Sequence, residues 1–299
     1  MPAQALTTEF LATLPGREPA SGAVSYFDTE IKGFLLEHRA SGGATFYFRY
    51  RDAAGKVRAC SITASSGNNT IDAGEGADVI TLSGGTNTVQ GNSGTDSITA
   101  TGDIDVTGTS KNWHGLFSNG TINSSAGKIT FWGQNDNGSG LGMGGGGSMT
   151  AKGDIAVTGK SNGYFGIGGN GAITSTEGKV TLVGTSTQSI GIVLNNKITA
   201  KNGTVELTGT GGNNSGISIT GGSTVTPVGI EAASYKVNGI STASNGVYLD
   251  GTAAFKSTDT TKESVIDGKG SRGVYIYRGA LTIDSGNGKA TMKGSAGGV

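Results

Sequence analysis

The sequence predicts a mainly β protein, a right-handed parallel β-solenoid (β-helix), preceded by a small N-terminal α+β domain with an antiparallel sheet. Three observations predict it. Between residues 63 and 98 a β-branched apolar residue recurs at every ninth position. Beyond residue 100 two glycine-based markers recur about every 25 residues, in phase with one another. A change of composition near residue 60 separates both repeats from a head that is built differently. The expected boundaries are therefore 1–62, 63–100 and 101–299.

The head is defined by what it concentrates. Residues 1–60 hold 5 of the 7 arginines, 5 of the 9 phenylalanines and 3 of the 4 prolines, whereas the remainder holds 50 of the 56 glycines. In "TFYFRYR", Thr45 to Arg51, Phe46, Phe48 and Tyr50 alternate with Tyr47, Arg49 and Arg51. That is a strand with an aromatic side and a basic side. From Arg39 to Arg58 there are five basic residues (Arg39, Arg49, Arg51, Lys56, Arg58) against Asp52. Cations that reach phosphates add affinity and salt dependence, so these five are the candidate DNA-binding residues. The competing reading is an ordinary solvated sheet face.

The stretch from Tyr26 to Arg58, with Tyr26-Phe27-Asp28-Thr29, Gly33-Phe34, the Ser41-Gly42 turn and the turn at Gly55, resembles the arm-type DNA-binding domain of phage and genomic-island tyrosine integrases. "LTTEFLATLP" near the start resembles that family's opening helix, and the resemblance implies a short helix there followed by a small antiparallel sheet of three or four strands that binds DNA. It stops near residue 60. A recombinase also needs a His-x-x-Arg, and the only histidines are His38 and His114, neither in that pattern.

The middle section reads TASSGNNTI, DAGEGADVI, TLSGGTNTV, QGNSGTDSI from Thr63. The fifth place is glycine (Gly67, Gly76, Gly85, Gly94), the seventh Asn or Asp (Asn69, Asp78, Asn87, Asp96) and the ninth Ile or Val (Ile71, Ile80, Val89, Ile98). A flexible linker has no reason to keep an aliphatic residue every nine. Inward aliphatics and Gly-x-Asn/Asp corners predict a coil of parallel β-structure. The phrase resembles the nonapeptide repeats of the RTX family of secreted bacterial proteins. That resemblance implies two nonads per 18-residue coil and Ca²⁺ between stacked corners. Asp78 and Asp96 are 18 apart and fall on one edge, while Asn69 and Asn87, also 18 apart, fall on the other. Calcium prefers several oxygen ligands including carboxylates, so Asp78 and Asp96 are the candidate metal residues. A purely polar corner ladder is the alternative.

The long repeat follows. "GDIDVTG" at Gly102, "GKITFWG" at Gly127, "GDIAVTG" at Gly153, "GKVTLVG" at Gly178 and "GTVELTG" at Gly203 are spaced by 25, 26, 25 and 25. A glycine followed by an aliphatic residue, at Gly115, Gly140, Gly166, Gly191 and Gly216, keeps the same spacings and recurs at Gly246 and Gly273 after 30 and 27. The extra residues are expected in corner loops, around Pro227. Alternation within each phrase predicts half-buried strands, and about eight stacked turns imply a shaft of roughly 40 Å. These phrases resemble the strand repeats of filamentous-haemagglutinin and adhesin-type bacterial exoproteins. The resemblance implies an extracellular or cell-surface protein whose partner is a glycan or protein on a host or neighbouring cell. The alternative location is cytoplasmic.

Other features set bounds. A formal net charge of 0 gives no global attraction to nucleic acid or anionic membrane. The lone Cys60 excludes an intramolecular disulfide and a cysteine-based zinc cluster. No apolar run approaches a membrane span, and the first residues lack the basic region of a secretory signal. Asp103 and Asp105 share a strand face as a paired-carboxylate enzyme would need, but Asp154 repeats the first of them 51 residues later, as a corner residue would. An enzyme is therefore not expected. His114 beside Trp113 is expected on a loop or surface, and "GLGMGGGGSM", Gly140 to Met149, in a loose corner. The readings weighed are a noncatalytic adhesin-like solenoid, a DNA-binding integrase remnant with the solenoid as spacer, and a carbohydrate-active β-helix. The marker at Gly273 is due again at Gly298-Val299 and "GKATMKG" opens a further turn at Gly288, so the repeat predicts a chain truncated within a coil.

Overall fold

The computed structural model describes residues 3, 5–14, 19–30, 34–40, 44–48, 61–64, 70–75, 79–82, 86–93, 97–110, 114–118, 120–144, 147–169, 171–221 and 227–296. The head begins with the expected helix, α1 (Thr8–Ala12), capped by Thr7, whose hydroxyl accepts from the Phe10 N–H at 3.2 Å. Three strands follow, β1 (Ala23–Phe27), β2 (Phe34–Arg39) and β3 (Ala44–Phe48), paired antiparallel in the order β1–β2–β3. Phe10 of the helix meets Tyr26 of β1 edge-on at 5.1 Å. Leu36 and His38 of β2 are fully buried. Asp28 ties the start of the chain to the end of β1, accepting from the Leu6 and Glu30 N–H groups at 2.8 Å each.

This small sheet is continuous with the solenoid. β3 pairs in parallel with β5 (Thr70–Glu75), setting Phe46 against Ile71. β4 (Ser61–Ala64), β6 (Val79–Leu82) and β8 (Ser97–Ala100) stack in one ladder, with Ile62, Ile80 and Ile98 in register. β5, β7 (Thr86–Ser93) and β9 (Asp103–Ser110) stack in a second, which puts Ile71, Val89 and Val106 in register. The expected 18-residue coil of two nonads is thus present in the pairing of both ladders. Asn87, expected at a corner, is instead in β7 and pairs with Ile104. The ladder runs on there because β9 supplies a partner beyond the point where the nonads turn.

At β10 (His114–Ser118) a third strand enters the coil, and its sheet gathers seven parallel strands, ending with Arg272–Arg278. The long coils number about seven, against about eight expected. The eighth contributes the strands Leu281–Asp284 and Ala290–Ala296, and the next marker, Gly298-Val299, lies outside the described residues. Each coil drops one inward residue onto each column. One column runs Ile98, Ile122, Met149, Ile173, Ile198, Ile230, Phe255. Another runs Val106, Phe131, Val157, Leu182, Leu207, Val237, Ile266. The third sheet adds Leu116, Leu141, Ile167, Ile192, Ile217 and Val247. All of these are buried in one continuous core, each worth roughly 1.5–3 kcal/mol for the larger side chains.

The glycine marker has a steric origin. Where the second sheet turns into the third, backbones nearly touch: a Cβ at Gly159 would lie 2.1 Å from the Gly166 carbonyl oxygen, and one at Gly166 would lie 2.3 Å from the Thr185 nitrogen. No side chain fits at either place, so the marker keeps phase. Two expectations are corrected here. Most of "GLGMGGGGSM" is strand, in Ser139–Met143 and Ser148–Ala151, with Met149 fully buried. His114 opens β10 and is half-buried, its ring stacked on Phe117 at 5.0 Å. The extra residues around Pro227 fall between Gly221 and Val228, and 222–226 lie outside the described residues.

Candidate functional site

The nonapeptide coils place the candidate calcium edge. β6 and β8 begin at Val79 and Ser97, which pair directly, and Ile80 and Ile98 that follow are buried. The chain therefore returns to the same register just after Asp78 and just after Asp96. The two aspartates themselves, and Asn69 on the other edge, lie outside the described residues. The fit to Ca²⁺ rests on the ladder and on donor chemistry: an aspartate at the same nonad position of each coil, Asp78 and Asp96, at an 18-residue interval. Elsewhere, among the described residues, no group of three His, Cys, Asp or Glu side chains is close enough to hold a metal ion.

Of the candidate DNA-binding residues, Arg39 is exposed at the end of β2, opposite Ala23. Arg49, Arg51, Lys56 and Arg58 lie outside the described residues.

Two aspartates of the long coils serve the corners. Asp103 accepts from the Lys128 N–H at 3.0 Å and Asp154 from the Lys179 N–H at 2.9 Å, each one coil further along. The sequence did not reveal their companions, buried serines that close the same turns. Ser124 donates to the Gly102 carbonyl at 2.7 Å and accepts from the Gly127 N–H at 3.0 Å. Ser175 does the same with Gly153 and Gly178, at 2.8 and 2.9 Å. A second row follows the next corner: Ser161, Ser186 and Ser241 each accept an N–H from three residues on, at 2.8–2.9 Å. The signal was available as Ser-x-x-Gly-Lys before two of the strand phrases. Such side-chain turns satisfy backbone groups that the stack would otherwise bury without partners.

Two of the concavities among the described residues border charged or aromatic side chains. One, of about 590 Å³, lies beside the lengthened coil and is lined by Lys197, Glu231 and Lys256. Its one carboxylate is committed: the hydrogen bond from Lys197 holds the Glu231 carboxyl below its ordinary range. The other, about 210 Å³, is lined by Gly142, Gly168, Phe117, Tyr164, Phe165 and His114. Burial pushes the His114 imidazole below its ordinary value, which favours its neutral form.

No helix among the described residues is long and apolar enough to cross a membrane. No curated protein and no solved structure matches the chain. Residues 63–98 match the RTX calcium-binding nonapeptide repeat, in four copies.

Proposed function

We propose that the chain is a noncatalytic β-solenoid from an exported or cell-surface bacterial protein of the adhesin and haemagglutinin type. Its nonapeptide coils take Ca²⁺ through Asp78 and Asp96, and its head is a module of integrase descent that serves as a cap. The observation that carries this reading is the match of residues 63–98 to calcium-binding repeats that join the long coils without a break in register. Repeats of this kind are typical of secreted proteins. The pairing of β3 with β5 supports the capping role, since a solenoid must cover the open edge of its first coil. The commitment of Asp103, Asp154 and Glu231 to corners and an ion pair supports a scaffold rather than an enzyme. The shaft presents its faces to a glycan or protein on another surface.

The test is hydrogen exchange of the intact chain with and without millimolar calcium. Residues 60–100 should gain protection. Replacing Asp78 and Asp96 by Asn should abolish the gain, and replacing Asn69 and Asn87 by Ser should leave it. Equal exchange in both conditions would defeat the calcium role.

A further inference from the structure

The outward face of the third sheet changes character at its last two described strands. In register along that face stand Phe117, Gly142, Gly168, Val193 and Ser218, then Tyr248 and Tyr275. After Leu249 pairs with Ile276 the register slips, and Asp250 pairs with Arg278. Tyr277 is thus an extra residue in a β-bulge, a device that re-aims side chains at sheet edges. Tyr277 shares the face of Tyr275 by the ordinary alternation of a strand, and the bulge brings Arg278 to that face as well, opposite Asp250.

The result is a compact aromatic triangle. Ring centroids lie 6.0 Å apart for Tyr248 and Tyr275, and 6.3 Å apart for each of the pairs that include Tyr277. Tyr277 is 55% exposed. The Arg272 guanidinium sits 4.5 Å over the Tyr275 ring, and that of Arg278 sits 5.1 Å from the Tyr277 ring. Arg278 also grips Asp250 with two parallel hydrogen bonds, both 2.9 Å. The backbone behind the pair is fixed. Gly251 and Gly279 follow Asp250 and Arg278 with φ of 124° and 88°, and a Cβ at Gly279 would lie 2.0 Å from the Gly251 oxygen. Side chains rarely adopt such φ values, so the turns hold the carboxylate and guanidinium in one place.

We propose that Tyr248, Tyr275 and Tyr277, with Asp250, Arg278 and Arg272 at their border, bind the pyranose rings of an oligosaccharide. A sugar ring offers an apolar C–H face to stack on phenol rings and a rim of hydroxyls that both donate and accept. The border supplies both partners, guanidinium N–H groups and carboxylate lone pairs. Size decides against a protein partner. Three tyrosines present on the order of 300 Å², well short of the roughly 800 Å² per side of a stable protein interface. Charge decides against nucleic acid. Asp250 neutralises Arg278, leaving Arg272 as the one uncompensated cation of the six residues, where a phosphate track needs several. The site gives the proposed adhesive role its ligand class and rests on that reading only for its biological setting.

The experiment is electrophoresis of the full-length chain through native gels containing hydroxyethyl cellulose, galactomannan, polygalacturonate or heparan sulfate. At least one should retard the chain. Tyr275→Ala and Tyr277→Ala should each weaken that retardation tenfold or more, and Arg278→Lys should weaken it less. Tyr164→Ala, on another coil and 52% exposed, should leave it unchanged, as should chelation of calcium. That last arm separates this site from the nonapeptide coils. Circular dichroism of each variant should match the parent. Retardation by none of the four, or retardation indifferent to Tyr275 and Tyr277, overturns the proposal. Retardation by duplex DNA that disappears in Tyr277→Ala overturns it as well and assigns the rings to bases.

Discussion

Ile98 pairs with Ile80, 18 residues back, on one side and with Ile122, 24 residues on, on the other. The same side chain therefore closes the last nonapeptide coil and opens the first long one, and the added residues make room for β10. Two repeats of different length share one core. Ile98→Ala should cost about 2–5 kcal/mol, read by chemical denaturation as a shift of one transition seen alike by exchange in residues 61–100 and 101–296. Loss of protection confined to the nonapeptide coils, with the long coils unchanged, would show that the two fold independently.

The close approach behind the glycine marker gives a paired prediction. Gly159→Ala places a methyl carbon 2.1 Å from the Gly166 oxygen, where only backbone movement relieves it. A cost of about 3 kcal/mol or more is expected, toward the upper end for overpacking. Gly169→Ala meets nothing nearer than the Val193 oxygen at 3.8 Å. It should be neutral or stabilise by up to about 1 kcal/mol, through the entropy of the unfolded chain. Equal effects of the two would refute the steric account.

Periodicity made the backbone legible and left most of the chemistry hidden. The spacing of Ile80 and Ile98, or of Gly140 and Gly166, repeats because every coil must return to the same register, and any repeat-keeping residue reports it. Ser124 and Ser175 were harder to see because their role lies in hydrogen bonds to another coil, not in their own periodicity. Tyr277 was invisible for the opposite reason: it breaks the register, and a single added residue looks in sequence like any insertion. "GLGMGGGGSM" looked like a loop because glycine usually marks turns, yet Gly140 is required by contact inside a strand. The candidate calcium edge was legible at Asp78 and Asp96 as spacing alone.

Among the described residues, depressed ionisable groups set the acid limit, Glu231 beside Lys197 among them. Hydrogen bonds from Arg278, from the Thr261 hydroxyl and from the Thr291 hydroxyl hold Asp250, Asp259 and Glu263, in that order, below the ordinary carboxylate range. A carboxylate depressed in the native state contributes stability above its unfolded value, near pH 4, and loses it as pH falls through the native one. His114, depressed by burial from its ordinary 6.5, contributes in the same direction at higher pH. The melting temperature should therefore fall in two stages on acidification, first below about pH 6.5 and again below about pH 4. His114→Gln should remove the first stage. Asp250→Asn should melt below the parent at pH 7 and level with it near pH 3. A difference that persists at pH 3 would mean that Asp250 acts through something other than its charge.

Tyr235 sits where the column of Ile104, Ile129, Ile155, Val180 and Val205 leads one to expect another aliphatic residue. Its ring is fully buried, 5.5 Å from Phe255, and its volume is offset by a small neighbour, since its N–H meets the Ser264 hydroxyl at 3.2 Å. Among the described residues the Tyr235 hydroxyl has no hydrogen-bond partner, and burial pushes its pKa up to about 12. A buried hydroxyl without a partner costs on the order of 1–3 kcal/mol, and the ring alone fills the same space. Tyr235→Phe should therefore stabilise the chain by about 1 kcal/mol, a rise of about 2 °C for a protein of this size. The alkaline limb provides an independent check. A phenol with a raised native pKa costs stability as pH climbs above the unfolded value near 10, because the unfolded chain loses its proton first. The parent should lose stability between about pH 10 and 12, and Tyr235→Phe should lose less over the same interval. If the variant is destabilised by 1 kcal/mol or more, or its alkaline limb matches that of the parent, the hydroxyl is satisfied by an ordered water and the orphan account is wrong.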